Sequence, residues 1–196
     1  MDYFIFLQIG LFILVFGAAL AVNQSRNKKT AALFDALAMK HNGTLLKGNL
    51  LSVPRLKLDD EGTEILIFST PGGRNSPPHT WFQARLSLTR DFKINLYREY
   101  NFYKVGKMFG MQDVVLDNPE FDESFIVQGS DELIVRSFFS GDIQAKLLPW
   151  KERSAALRIE NKQLQFSVPS RFQSEQEYDA LIETGRALLR QARELG

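Results

Sequence analysis

The hydrophobic pattern divides the chain into an unbroken apolar run and a longer part in which apolar and polar positions alternate. The run extends from Tyr3 to Val22 without a Lys, Arg, Asp or Glu. A helix of about 20 residues crosses the roughly 30 Å hydrocarbon core of a bilayer and satisfies its own backbone there. We therefore predict a transmembrane anchor over residues 1–22. The anchor side chains expected to face lipid or another helix are Phe4, Phe6, Phe12, Phe16, Gly17 and Ala21.

A cleaved secretory signal is the alternative interpretation of this run, because Ala19-Leu20-Ala21 has the small-x-small form of a cleavage site. A signal peptide has a positive region before its apolar segment, whereas only Met1 and Asp2 precede this one. The positive charges follow the run, at Arg26, Lys28 and Lys29. Lys and Arg beside a short membrane segment stay on the cytoplasmic side. We therefore predict a single-pass protein of the bacterial inner membrane, with residues 23–196 in the cytoplasm.

Residues 23–43 are predicted to form a juxtamembrane linker and helix. Apolar positions between Lys29 and Lys40 fall on one helical face, and Asn42-Gly43 follows as a stop signal. This helix either continues directly from the anchor or follows a short bend near Asn23 to Asn27.

Short stretches of period-two alternation come next, most clearly from Phe82 to Leu88 and from Phe92 to Tyr97. Asp60-Glu61-Gly62 and Thr89-Arg90-Asp91 have turn chemistry, which predicts that the strands on either side of each turn are antiparallel neighbours. A sheet with one apolar face needs a cover, and the cover is predicted to be helical.

The second half of the chain supplies that cover. Helices are predicted over Ser130–Phe139, Gly141–Leu148 and Ser174–Leu195, and a hairpin over Ala155–Ile159 and Gln163–Val168. Ser174 and Glu177 have the spacing of a capping box at the start of the last helix. The predicted fold class is α+β, with one domain over residues 44–196 in which helices cover a mainly antiparallel sheet.

One segment carries a pattern that is more specific than periodicity. It reads Phe121-Asp122-x-x-Phe125-x-Val127-x-Gly129-Ser130-Asp131 and is followed by a short predicted helix. The pattern resembles a group of bacterial membrane-anchored proteins of unknown function, similar in style to the DUF3137 family. The resemblance implies a hydrophobic N-terminal segment before a mixed α/β domain, and it brings no catalytic residues. From the residues themselves, the apolar members are predicted core side chains, and Ser130 or Asp131 a helix cap.

Composition mainly excludes functions. The chain has 24 Lys and Arg against 23 Asp and Glu, a balance that argues against nucleic-acid binding. The absence of cysteine excludes disulfides, thiolate metal sites and cysteine nucleophiles. The two histidines, His41 and His79, lack the spacing that places two ligands on one metal. We therefore predict no cofactor and no metal.

The loop from Pro71 to His79 is a weaker candidate for chemistry. It holds two glycines and one arginine, which suit an anion. It lacks the spacing of the known phosphate-binding loops and a helix after it, so we interpret it as a plain exposed loop.

Two surface features are predicted to contact something outside the chain. The first mixes aromatic and cationic side chains that suit a membrane interface or a protein partner, at Tyr100, Phe102, Tyr103, Lys104, Lys107 and Phe109. The alternative is that about half of that segment is core. The second is a row of arginines on the last helix that suits anionic lipid or an acidic surface, at Arg186, Arg190 and Arg193. A salt-bridged face with Glu183 and Glu194 is its alternative.

Three functions follow from these observations. The leading hypothesis is a non-catalytic single-span accessory or scaffold subunit of an inner-membrane assembly, with lipid and an integral-membrane protein as partners and no nucleic acid. The second is a membrane-tethered sensor or binding module for a lipid or small ligand, and the third is an unrecognised enzyme. A pocket with convergent polar groups favours the latter two, and a broad apolar patch favours the first.

Overall fold

One long helix opens the chain, and a computed structural model describes it together with the domain that follows, over residues 2–49, 52–98 and 111–196. The helix, α1, is Asp2–His41. The strands are β1 (Thr44–Leu46), β2 (Arg55–Asp60), β3 (Thr63–Thr70), β4 (His79–Arg85), β5 (Ile94–Tyr97), β6 (Gln112–Asp113), β7 (Ile126–Gly129), β8 (Ala156–Glu160) and β9 (Gln163–Val168). The other helices are α2 (Pro119–Ser124), α3 (Glu132–Phe138), α4 (Gly141–Leu147), a 3₁₀ helix (Leu148–Arg153) and α5 (Glu175–Leu195).

Helix α1 is 40 residues long. It contains the whole apolar run and continues beyond it to His41 without interruption. Of the two possibilities left open by the sequence, direct continuation is therefore observed rather than a bend near Asn23. Within the described residues, no helix is both long enough and apolar enough to cross a bilayer. The structure thus does not support the transmembrane anchor over residues 1–22, which stays a prediction.

The predicted anchor side chains divide into two groups. Phe12, Gly17 and Ala21 are exposed. The side chains of Phe4, Phe6 and Phe16 lie outside the described part of the structure.

The strands of the described chain form one antiparallel sheet in the order β1-β2-β3-β4-β9-β8-β5-β7-β6. The turn at Glu61-Gly62 joins β2 and β3 as antiparallel neighbours, as predicted, with Asp60 opposite Thr63. Glu61 and Gly62 both have positive φ, as a two-residue hairpin turn requires.

The second predicted neighbour pair is wrong. The segment Thr89–Asp91 does not join paired strands, because β4 pairs with β9 and β5 pairs with β8. The β8–β9 hairpin, which the sequence did predict, lies between them. The turn residues predicted that the chain reverses direction. They could not predict that a hairpin about 70 residues later in the sequence lies between the two strands.

The core lies on the face of the sheet that α5 and the end of α1 cover. Ile65, Ile67 and Phe82 are fully buried on the sheet, and α5 carries the predicted capping box of Ser174 and Glu177. A Cβ atom at Gly185 of α5 would lie 2.4 Å from the Phe82 ring. The glycine therefore allows α5 to pack directly on β4, which explains its place in a helix interior.

The end of α1 belongs to this core. Phe34 and Leu37 are fully buried, and the Phe34 ring packs edge-on against Tyr178 of α5 at a centroid distance of 5.1 Å. The packed domain therefore begins inside α1 and not at the predicted boundary of residue 44.

The motif that carries the family resemblance is structural, as predicted from its residues. Phe121, Phe125 and Val127 are at most 3% exposed. Asp131 caps α3 by accepting hydrogen bonds from the amides at the start of that helix. The Asp122 carboxylate closes the preceding loop, where it accepts the amides of residues 116 and 118 at 3.0 and 3.1 Å.

We expect Phe125→Ala to lower the free energy of unfolding by about 3 kcal/mol or more, because it leaves a cavity in the core. The matched control is Leu133→Ala, since Leu133 is 77% exposed and should change stability by no more than about 0.5 kcal/mol. Chemical denaturation of the full chain measures both. Equal midpoints for Phe125→Ala and wild type would contradict the packing described here.

Candidate functional site

A cleft with basic walls lies beside the second half of α1. It has a volume of about 630 Å³ and is enclosed by α1, the β3–β4 loop and the connection from β9 to α5. We call it the basic cleft. Its lining residues are Arg26, Lys29, Thr30, Leu33, Pro71, Gly72, Gly73, Ser76, Pro78, Arg171, Phe172 and Gln173.

Helix geometry explains the first wall. The four α1 residues occur at spacings i, i+3, i+4 and i+7, which places them on one face of the helix. Thr30 is buried, and its hydroxyl donates to the Arg26 carbonyl at 3.1 Å. Arg26 and Lys29 are exposed on the same face.

The β3–β4 loop forms the second wall. Gly73 and Ser76 close it on itself, because the Gly73 amide donates to the Ser76 carbonyl at 2.9 Å. A Cβ atom at Gly72 would lie 2.7 Å from that same carbonyl oxygen, so the close approach requires glycine. This loop was the weak anion-binding candidate in the sequence. Its glycines are needed for its fold, and it forms one wall of the cleft.

The third wall is held in place by the core. Thr80 donates its hydroxyl to the Ser170 carbonyl at 2.7 Å. Phe172 is 2% exposed and packs its ring on Trp150 and Tyr178, at centroid distances of 6.0 and 5.3 Å. The backbone of Arg171, between these two anchored residues, is thereby held beside the cleft.

The basic cleft has an excess of positive charge. Arg26, Lys29 and Arg171 contribute three cations, and no Asp or Glu is among the lining residues. None of the three has an ion pair within the described chain, whereas other cations such as Lys93 and Arg136 do. The Nη1 atom of Arg171 is buried without a hydrogen-bond partner there.

A second cleft lies on the other side of α1 and contains different cations. Its volume is about 450 Å³, and Lys28 of α1 and Lys47 of the β1–β2 connection are among its lining residues. Neighbouring lysines at positions 28 and 29 therefore line different clefts.

Two bonds attach the end of α1 to α5. Lys40 Nζ lies 2.6 Å and His41 Nε2 lies 2.7 Å from the Asp179 carboxylate. Burial acts to raise the pKa of Asp179, but the hydrogen bonds from Lys40 and His41 outweigh it and hold that pKa below its usual value. The charged carboxylate therefore stabilises the attachment.

The arginines predicted on the last helix do not reach the basic cleft. Arg186 Nε is 3.4 Å from Asp60, and Arg193 Nη1 is 3.0 Å from Asp60 and 2.9 Å from Glu61. Two of the three thus form a salt-bridged face, with acids of the β2–β3 turn in place of Glu183 and Glu194. Arg190 is exposed, with no ion pair to the described residues.

The other predicted surface remains a prediction. Tyr100, Phe102, Tyr103, Lys104, Lys107 and Phe109 lie outside the described residues. Elsewhere in the chain, no group of three or more His, Asp or Glu residues that could hold a metal is found among the described positions.

The sequence has no recognisable relative: no family model matches the chain, and no curated protein matches it. The fold is similar to that of a crystal structure, the mycobacterial trehalose monomycolate transport factor A. The TM-score is 0.59 at 10% sequence identity, and the match covers 83% of this chain and 94% of the other. At this identity the likeness concerns the fold alone.

We expect Asp179→Asn to weaken the attachment of α1 in a pH-dependent manner. A carboxyl with a lowered folded-state pKa contributes stability above its ordinary value of about 4, and that stability is lost as the pH falls through the folded value. The variant should therefore be less stable than wild type at neutral pH, by less than about 1 kcal/mol because the site is partly solvated. The difference should shrink as the pH falls through the lowered folded-state pKa of Asp179 and vanish below it.

Asp35→Asn is the matched control, since Asp35 is an exposed α1 residue without an ion pair in the described structure. Denaturation midpoints from pH 3 to pH 8 measure both variants. If Asp179→Asn lowered the denaturation midpoint by the same amount at every pH, the electrostatic role would be contradicted.

Proposed function

We propose that the protein is a non-catalytic single-span accessory or scaffold subunit of a bacterial inner-membrane assembly. In this proposal residues 1–22 are the anchor, residues 23–196 are cytoplasmic, and the partners are lipid and an integral-membrane protein. The observation that carries it is the continuity of α1, which joins the apolar run to the domain core without interruption.

The exposed apolar side chains in the first half of α1 support contact of this half with lipid or with another protein. Leu11, Phe12 and Leu14 are 63%, 71% and 68% exposed, so the described part of the domain does not cover them. A row of large exposed apolar side chains is characteristic of a lipid or protein contact. The run also lacks charged residues, and the cations follow it on the side that the positive-inside rule assigns to the cytoplasm.

The second half of α1 supports a scaffold role. A helix without a bend would hold the domain at a fixed height and orientation relative to the bilayer, because Phe34 and Leu37 are core residues of that domain. A flexible linker, in contrast, would leave the orientation free.

The structural neighbour supports the same role by analogy. It is named as a transport factor, and the shared fold covers 94% of it. A fold can be reused for other functions, so the analogy alone does not carry the proposal.

A second candidate is a membrane-tethered module that binds a lipid or small ligand. The basic cleft favours it, because three cations and no acidic residue line a cavity beside the helix that would enter the membrane.

Purification of the full chain from membranes in mild detergent tests the accessory-subunit proposal. We expect the chain to resist extraction by alkaline carbonate and to elute with an integral-membrane protein in constant ratio. Ser25→Pro should break α1 between the apolar run and the domain, and should reduce that ratio severalfold. Ser25→Ala, the matched control, preserves the helix and should keep the ratio.

Three results would each overturn a part of the proposal. Extraction by carbonate would show that residues 1–22 are no anchor, and elution of the detergent-solubilised chain alone would show that it is no subunit. A reporter fused after Gly196 that is active only outside the cytoplasm would reverse the orientation.

A further inference from the structure

We propose that the basic cleft is a binding site for a phosphate group, and that the phosphate belongs to an anionic phospholipid of the membrane that α1 enters. The inference deepens the proposed function and rests on the membrane anchorage proposed there. It adds a ligand class and names the residues that would hold it.

The charges of the cleft select an anion. Arg26, Lys29 and Arg171 come from two segments far apart in the sequence and line one cavity of about 630 Å³. A cavity with three cations and no acidic lining residue repels cations and attracts anions. The three lack ion pairs within the described chain, so their charges are not neutralised internally.

Arg171 supplies the most specific part of the site. Its Nη1 atom is buried and has no hydrogen-bond partner within the described residues. A buried donor without an acceptor is destabilising, and a guanidinium group matches phosphate oxygens in a two-pronged geometry. Because Thr80 and Phe172 hold the segment on either side, the backbone of Arg171 is held in place at the wall of the cleft.

The position of the cleft along α1 selects a lipid as the source of the phosphate. Arg26 follows the last residue of the apolar run, Val22, by four positions, which is about 6 Å along a helix axis. Lys29 follows it by seven positions, or about 10 Å. The headgroup layer on each side of the hydrocarbon core is about 5 to 8 Å thick. Arg26 would therefore lie at the depth of the lipid phosphates, and Lys29, a few Å beyond the headgroup layer, would reach it with its long side chain.

Diffuse attraction between a basic helix and an anionic surface is the competing explanation. The two explanations differ in whether binding depends on which side of α1 a cation occupies. Diffuse attraction would use Lys28 and Lys29 equally, since the two are adjacent and both exposed. A cleft would use Lys29, because Lys28 lines the cleft on the opposite side.

The test is a thermal titration of the full chain in uncharged detergent with dioctanoyl phosphatidylglycerol. Dioctanoyl phosphatidylcholine and glycerol 1-phosphate are the comparison ligands. We expect phosphatidylglycerol to raise the melting temperature with saturation. Phosphatidylcholine and glycerol phosphate should need at least about tenfold higher concentrations for the same shift. The apparent affinity for phosphatidylglycerol should fall about five- to tenfold in Lys29→Gln and in Arg171→Gln, and by less than about twofold in Lys28→Gln.

Three results would overturn the proposal. Equal losses in Lys28→Gln and Lys29→Gln would show diffuse attraction, and the absence of any shift would show that no site exists. A response to glycerol phosphate equal to that of the lipid would make a soluble phosphate ester the ligand.

The test remains decisive if one variant does not fold, and its outcome can be distinguished from failure of the proposed anchor. If Arg171→Gln fails to fold, Lys29→Gln still decides, since Lys29 is exposed. Extraction by carbonate would refute the anchor without affecting the titration, which is made in detergent.

Discussion

The packing of the last turns of α1 into the domain core is the constraint on which the rest of the structure depends. Phe34 and Leu37 are fully buried, Phe34 packs against Tyr178 of α5, and Lys40 and His41 bind Asp179 of that helix. An isolated helix would be free to pivot, whereas this one is fixed by both apolar and ionic contacts. The direction in which the apolar half of α1 leaves the domain is therefore set by the core, and both clefts beside α1 exist because the helix crosses the domain at that place.

The basic cleft shows how a chain that is almost neutral can present a local charge. Most of the described ion pairs join elements across the surface, and the arginines of α5 are paired with the β2–β3 turn. The cations of the cleft have no ion pair among the described residues, and the loop between β3 and β4 that forms one wall contains no Asp or Glu. Charge balance over the whole sequence thus argues against a nucleic-acid partner, but it is compatible with an anion site of this size.

Local signals in the sequence were sufficient for most of the fold and insufficient for the site. Alternation, turn residues and the capping box at Ser174 identified most of the strands, two hairpins and α5, because each of these depends on neighbours within a few residues. The short strands β6 and β7 were not predicted. The order of β4, β9, β8 and β5 depends on a long-range insertion that no local pattern encodes. The cleft likewise brings together residues 26 and 171, which share no sequence signal. The helical spacing of Arg26, Lys29, Thr30 and Leu33 is visible in the sequence. It indicates a wall of a cleft only once the position of the facing β3–β4 loop is known.

The central claim is that one continuous helix carries the chain from the bilayer into the domain and places the basic cleft at the headgroup layer. The chain has no cysteine, so single cysteines at the exposed positions Ala18, Ser25 and Asp35 can each carry one spin label. The depth of each label, measured in vesicles by its accessibility to oxygen and to a polar nickel complex, tests the claim. Our account predicts position 18 in hydrocarbon, position 25 among the headgroups and position 35 in water. Three labels with equal, aqueous accessibility would contradict it.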